Sequence, residues 1–402
     1  MNEHVAVVDL GYGDAGKGTV VDALCAASER RAVLRFNGGA QAAHNVITEA
    51  GRHHTFAQFG SGTLRGVPTH LTRFMVVDPL ALAGEAAALG NPFHLLTVDG
   101  DALLATPWHR GANRRRELAR GGSRHGSCGM GVGETMAYAL EHPDAPRVSD
   151  VLSPARLRRR LAAVRDALGD GPPVDDVVDA FTAFGEAVRI VGDDCTERLL
   201  TEGPCVFEGA QGVLLDEWRG WHPHTTWSTT TFDNVAALCP DFLRLGVVRT
   251  YTTRHGAGPF VTEAELGLAE AHNGRDPWQG EFRTGHFDAV AHRYAVEVAG
   301  GVDALAITHL DAPDRSPGLR ICTSYRIDGG TWDRIEPGPP RDLAHQERLG
   351  ERLRRAVPGE CHRPDDWSAA IATHLGAPVL LESTGPRSTD KRMYPLGVPA
   401  LT

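Results

Sequence analysis

The chain has 402 residues, enough for one large α/β unit, and its 42% apolar and 23% charged content is that of an ordinary globular protein. A formal charge of −10 with no basic tail argues against a nucleic-acid-binding surface, and no apolar run reaches the length of a membrane span. Seven cysteines, without a CxxC pair or a zinc-spaced His/Cys cluster, predict reduced thiols in a cytoplasmic protein, and no leader segment is expected.

The first element is "VAVVDLG", a buried-strand pattern that runs into "GYGDAGKG" and then the helical spacing of "KGTVVDALCAASE". Strand, glycine-rich turn and helix are the context of a phosphate-binding loop. Gly11, Gly16 and Lys17 fit the Walker spacing, but Gly18 stands where the magnesium-binding Ser or Thr belongs. Asp14 stands inside the loop instead. An aspartate there offers magnesium a hard oxygen ligand and a transferring phosphoryl group a neighbouring base. Only two of the 41 basic residues are lysines, Lys17 and Lys391. A lysine kept in the glycine turn points to a need for a compact charge, which a planar guanidinium does not supply beside an amide-cradled phosphate.

"RAVLRFNGG" repeats a strand into a glycine turn and leads to His44, either a donor for a developing anionic oxygen or a plain capping residue. The basic run 110–122 reads as a solvated helix face. "SPARLRRRLAAVRDAL" (153–168) and "VVDAFTAFGEAVRIV" (177–191) read as amphipathic helices, with "DGPPVDD" (170–176) turning between them. "PCVFEGAQG" (204–212) is another strand. Its Gln211 offers one donor and one acceptor to a base edge, or is an ordinary strand-end glutamine. "ALAITHLD" (304–311) and "PVLLESTGP" (378–386) complete five strands that end in polar loops. The expected fold is α/β: a large, mainly parallel sheet flanked by helices, with a P-loop-like phosphate site at the C-terminal strand edge, in a single domain over 1–402.

"GYGDAGKGTVVD", "RFNGGAQAAHNV", "FEGAQGVLLD", "YTTRHGAGPFVTE", "RTGHFDAVAHRYAV", "ITHLD" and "ESTGP" follow one another in an order and spacing similar to those of the adenylosuccinate synthetase family. The resemblance covers essentially the whole chain. It implies an enzyme, a homodimeric carbon–nitrogen ligase of purine biosynthesis that uses GTP and Mg2+. Such an enzyme phosphorylates the 6-oxygen of IMP and lets the amine of L-aspartate displace the phosphate. The implied partners are thus small molecules: GTP, a purine-like acceptor and an amino acid.

By the same resemblance, Asp14 corresponds to the catalytic base and a magnesium ligand, and His44 to the catalytic acid. Lys17 and Gln211 complete the catalytic set, and the Ala43 backbone corresponds to a second magnesium ligand. The implied GTP site comprises Gly13, Asp14, Ala15, Gly16, Lys17, Gly18, Thr19, His44, His309, Asp311, Ser383, Thr384 and Gly385, with Asp311 reading guanine. The implied acceptor site comprises Asp14, Gln41, His44, Cys128, Gln211, Thr226 and Arg283.

The chain departs from the family pattern on the acceptor side. "GSCGMGVG" places Cys128 and Met130 where the family has a phosphate-binding threonine and an arginine. "PWQGEFRTG" leaves Arg283 where several arginines usually clamp the dicarboxylate, and puts Glu281 among them. Three readings follow: a family ligase, a paralogue with another acceptor or amine, and a non-catalytic GTP-binding protein. A generic P-loop kinase would keep the hydroxyl after the lysine.

Overall fold

The computed structural model describes residues 3–270, 274 and 276–395. One sheet is built from β1 (Val5–Asp9), β2 (Val33–Arg35), β3 (Thr69–Leu71), β4 (Leu96–Asp99), β5 (Arg189–Val191), β6 (Val206–Glu208), β7 (Leu243–Arg249), β8 (Ala304–Thr308), β9 (Val379–Ser383) and β10 (Lys391–Met393). Their spatial order is β5-β4-β3-β2-β6-β1-β7-β8-β9-β10, and every neighbouring pair is parallel except the last.

The sequence of β1 explains its central place. All five residues of "VAVVD" are buried. Val5 and Val7 pack with Val20, Val21 and Leu24 of helix α1 (Lys17–Ala27), while Ala6 and Val8 join Phe207, Val290 and Ile307 in a second cluster. A strand covered on both faces reads as a continuous apolar run rather than an alternation. From β1 the chain winds out through β2 to β5 on one side and β7 to β9 on the other. The crevice at the carboxyl ends of the strands beside this reversal is where such sheets bind ligands.

A further core lies around Trp108, Leu157, Leu161 and Phe181, which are fully enclosed. It packs the helices Pro107–Ala119, Pro154–Leu168 and Val174–Ala187. The helix expected over 177–191 therefore stops at Ala187. Ile190 and Val191 pair with Val98 and Asp99 as the edge strand β5, the conformation β-branched side chains favour.

A second correction concerns the cysteines. Cys322 and Cys361, expected as thiols, form a disulfide with a Cα–Cα distance of 4.2 Å. The antiparallel strands Ile321–Cys322 and Cys361–His362 set the two residues directly opposite each other. Their separation of 39 residues lies outside any local spacing rule. No helix among the described residues is long and apolar enough to cross a membrane.

Candidate active site

The phosphate turn is organised by a residue that the motif does not contain. Asp9, the last residue of β1, accepts the Gly11 N–H through Oδ1 and the Ala15 N–H through Oδ2, both at 2.8 Å. The Lys17 ammonium donates to Asp9 Oδ2 at 3.0 Å and to the Gln211 carbonyl at 2.6 Å. Gly13, Asp14 and Gly16 take φ values of 92°, 60° and 95°. Asp is among the few residues with a side chain that tolerate this region. Gly16 then opens α1, so the turn lies at the positive end of that helix.

The missing Walker hydroxyl has a steric cause. A Cβ on Gly18 would lie 2.7 Å from His44 Cβ and 3.0 Å from the His44 carbonyl carbon. The short strand His44–Ile47 crosses the first turn of α1. Glycine at 18 is the condition for bringing His44 against the phosphate turn.

Behind His44 stands a buried acid. His44 Nδ1 donates to Glu208 Oε1 at 2.6 Å, and Glu208 Oε2 accepts the Ser61 N–H at 2.9 Å. The Ser61 hydroxyl also donates to Glu208. Burial alone would raise the Glu208 carboxyl, but His44, Arg35 and Ser61 hold it down to about 2. Burial lowers the pKa of His44 against the pull of Glu208. The imidazole is neutral at rest, with its proton on Nδ1 and Nε2 left for a ligand. Asp14 is held through its carbonyl, which accepts from Arg249 Nε, and its carboxylate lies 3.5 Å from His255 Nε2.

Gln211 also has a positive φ, of 58°. Its Oε1 and Nε2 are enclosed and lack hydrogen-bond partners, and both lie just over 3 Å from where a Cβ on Gly38 would stand. Gln41 Oε1 is likewise enclosed and unpaired. Ala43 directly precedes His44 at the edge of α1.

The expected guanine turn is joined to the phosphate turn. Thr19 Oγ1 donates to the Pro386 carbonyl and Thr308 Oγ1 to the Ala15 carbonyl, each at 2.7 Å. Ser383 Oγ donates to the Gly385 carbonyl at 3.0 Å, and the Thr384 N–H reaches the Asp390 carbonyl at 3.1 Å. Lys391 Nζ caps the turn through the Gly385 and Arg387 carbonyls at 2.6 and 2.8 Å. Burial lowers its pKa to about 8. Lys391 thus binds two backbone carbonyls, where Lys17 binds one carbonyl and the Asp9 carboxylate. His309, with φ 57°, is kept neutral chiefly by burial. Asp311 stands half-exposed at the rim, 3.0 Å from Arg315.

The expected acceptor side is built differently. Ser127 Oγ donates to Asn113 Oδ1, which also accepts the Gly131 N–H, while Arg114 Nε donates to the Gly129 carbonyl. A Cβ on Gly129 would meet the Trp278 ring at 2.9 Å, and Arg114 lies over the same indole at 5.1 Å. Cys128, in the middle of this turn, has its thiol pushed up to about 11 by burial. Thr226 is half-buried, on the segment that ends beside the exposed Trp227. Arg283 is engaged with Glu263 at 2.8 Å and with the Gly258 carbonyl at 3.0 Å. Arg254 is buried, and it spends its donors on the carbonyls of Ala257, Pro259 and His224.

The structure thus brings Asp14, Lys17, His44 and Gln211 together, and places Cys128 and Thr226 on two loops and Arg283 on the strand Phe282–Gly285. Sequence reasoning missed Asp9, Glu208, His255 and Trp278. Asp9 and Glu208 carried a signal, as lone acids in otherwise apolar strands.

A doubly wound sheet, a glycine turn carrying a buried lysine and a histidine–glutamate pair beside it define an α/β protein with a P-loop-like turn that lacks the Walker hydroxyl. A family model described as adenylosuccinate synthetase matches residues 6–355. The adenylosuccinate synthetases of Magnetococcus marinus and Acidithiobacillus ferrooxidans are each 32% identical to the chain, covering 96% and 97% of it and 97% and 98% of themselves. The chain belongs to the adenylosuccinate synthetase family. Among solved structures, the fully ligated adenylosuccinate synthetase of Plasmodium falciparum shares the fold, with a TM-score of 0.85 at 20% identity over 98% of this chain and all of that one. The succinoaminodeoxyadenylate synthetase of cyanophage S-2L, bound to dGMP and dATP as an energy donor, reaches 0.65 at 20% identity over 98% and 96%.

Proposed function

We propose that the chain is a GTP- and magnesium-dependent ligase that phosphorylates the 6-oxygen of a purine-like acceptor and lets an amine displace the phosphate. The observation that carries this reading is the enclosed, unpaired amide of Gln211 beside the phosphate turn. Leaving such atoms unpaired costs roughly 1–3 kcal/mol each. A base edge offering the complementary donor and acceptor removes that cost.

Each residue then has a defined task. The amides of the turn and the Lys17 charge hold the phosphates. Asp14 takes the proton from purine N1, next to His255. His44, backed by Glu208, supports charge on the 6-oxygen as it develops, which is when Nε2 becomes basic enough to hold a proton. The Asp14 carboxylate suits an oxygen-preferring cation, since no lysine or arginine pairs with it among the described residues. With the Ala43 carbonyl it would hold Mg2+, whose charge would neutralise that of the transferring phosphoryl group. A homodimer belongs to the same reading.

A second reading concerns the acceptor: a substrate without a 5′-phosphate, a different amine, or both. It is favoured by the indole of Trp278 lying on the turn that carries Cys128, and by the engagement of Arg283 with Glu263. Phosphate release from GTP, measured with IMP and inosine crossed against a panel of amino acids, tests both readings. Turnover that requires GTP, a purine acceptor and an amine together is expected. GTP consumption with no acceptor dependence would overturn the ligase assignment.

A further inference from the structure

The loops that leave β4 and β5 carry a second cluster of chemistry, on the far edge of the sheet from the guanine turn. Asp99 ends β4, and the parallel pairing of the two strands sets it beside Val191. The Gly100 N–H donates to the Val191 carbonyl at 2.9 Å, so the two loops run out side by side. Asp99, Asp101 and Asp193 converge there, with one carboxylate oxygen from each lying within 4.8 Å of the others.

Asp99 is 1% exposed. Its Oδ1 accepts the Asp101 N–H at 2.8 Å, while its Oδ2 is enclosed and has no hydrogen-bond partner. Among the described residues no lysine, arginine or histidine nitrogen comes within 4.0 Å of any of the three carboxylates. Arg73 acts on Asp99 only at longer range, and its own Nη2 donates to the Ala237 carbonyl at 3.4 Å. A buried carboxylate with one unpaired oxygen, grouped with two further carboxylates, is a costly arrangement unless something positive joins it.

We propose that Asp99, Asp101 and Asp193 form a binding site for one hard divalent cation of the calcium type. Oxygens that share a calcium ion at 2.3–2.6 Å stand at most about 5 Å apart, which matches the spacing of the three carboxylates. Carboxylate-only ligation suits a hard cation rather than zinc or copper. Asp101 and Asp193 are exposed, so water can complete the irregular coordination that calcium accepts and magnesium resists. Asp193 also lines a surface groove with Arg73, Thr196 and Glu197, which gives an ion a route in. The bound ion would tie the loop after β4 to the loop after β5, joining the edge strand to the sheet. Burial, with the charges of Asp193 and Asp101, raises the Asp99 carboxyl, so acid would compete with the ion.

The site is independent of Asp14, and calorimetric titration of the nucleotide-free protein with CaCl2 and MgCl2 tests it. One Ca2+ should bind with a Kd of about 1 mM or below, the range of weak extracellular-type sites, and more tightly than Mg2+. Asp99→Asn and the exposed Asp193→Asn should each weaken it at least tenfold, while Asp14→Asn should not. Should Asp99→Asn fail to fold, Asp193→Asn reads the same contact from the surface. Absence of Ca2+ uptake by the wild type up to about 10 mM would overturn the proposal. So would binding that survives both cluster variants, or binding that is lost in Asp14→Asn.

Discussion

Two glycine-rich turns of this molecule, residues 11–18 and 126–131, are held on opposite plans. The first is centred on its own strand end, with Arg249 and Thr308 adding one contact each to the Asp14 and Ala15 carbonyls. Asp9 collects two amides and the lysine of its own turn, and the helix that follows continues directly from it. The second is held from outside, by Asn113 and Arg114 of a neighbouring helix and by Trp278 from a loop about 150 residues further along the chain. The first plan lets a few adjacent residues dictate a geometry. The second lets distant loops change what the turn recognises without disturbing the sheet. Under the proposed function, phosphate chemistry falls to the first turn and acceptor choice to the second.

The strongest way to break this comparison is to disturb the first turn alone. Gly18→Ser restores the Walker hydroxyl but drives its Cβ into His44, so turnover should fall at least ~10²-fold, as it should for Asp14→Ala and His44→Ala. Lys17→Arg should be nearly as damaging, because a guanidinium does not fit between Asp9 Oδ2 and the Gln211 carbonyl. Steady-state rates with circular dichroism as a folding control decide it. A Gly18→Ser enzyme with wild-type activity would show that the crossing at His44 is not needed for catalysis.

Much of the first turn was legible in the sequence, and little of the second. Strand, glycine turn and helix lie within about 25 residues, so propensity and spacing agree there. The strands β1, β2, β6, β8 and β9 announced themselves as apolar runs ending in polar loops. β3 lies in the polar run "PTHLTR", β5 continues the helical spacing of 177–191, the seven-residue β7 is interrupted by Arg244 and Gly246, and β10 is an edge strand of mixed character. The pair Cys322–Cys361 and the contact of Trp278 with Gly129 join residues far apart in sequence, where no local pattern signals an encounter.

The next effect is on the nucleotide. A carboxylate accepts from guanine N1–H and its exocyclic amine but meets an acceptor at adenine N1. Asp311→Asn should therefore weaken GTP use by about 1.5–3 kcal/mol and narrow the gap to ATP. Competing kcat/KM values for the two nucleotides measure it. A wild type that uses ATP as well as GTP would remove Asp311 from this role.

The second turn predicts a smaller, more specific difference. With a half-buried thiol at Cys128 and an indole against Gly129, a 5′-phosphate placed there would find few charge-assisted partners, each normally worth roughly 1.5–3 kcal/mol. IMP should be preferred over inosine by less than about tenfold, and IMP with L-aspartate should stay below ~10⁴ M⁻¹s⁻¹ in kcat/KM. A strong preference for IMP would mean that arginines from elsewhere restore the phosphate site. Arg275 lies outside the described residues, and its substitution by alanine would then be the direct check.

The smallest expected effect links the second turn to pH. Gly131 packs on the backbone of His109 and Arg110, in the first turn of the helix that carries Asn113 and Arg114. His109 Nδ1 accepts the Thr106 N–H at 3.2 Å, so that imidazole must be neutral, and burial lowers its pKa to about 3. An unfolded histidine titrates near 6.5. Between pH 6.5 and about 3 the unfolded chain therefore binds a proton at this residue that the folded chain refuses. Its contribution is complete above pH 6.5 and falls by up to about 1.4 kcal/mol per pH unit as the solution is acidified. Other groups superimpose their own slopes. His70, at about 4, adds to the loss, while Asp216 and Asp288, raised chiefly by burial, take up protons in the fold and oppose it. A difference measurement isolates His109. Urea unfolding of wild type and His109→Gln at pH 7.5 and 5.0 should show the variant less stable at neutral pH and closer to wild type at pH 5.0. Because Glu208 is held near 2, its stabilisation is constant between pH 7.5 and 5.0, and its loss begins only below about 4.5, where free glutamates protonate. A stability gap that stays constant between the two pH values would mean that His109 carries its proton in the fold, and that the second turn does not rest on a neutral cap.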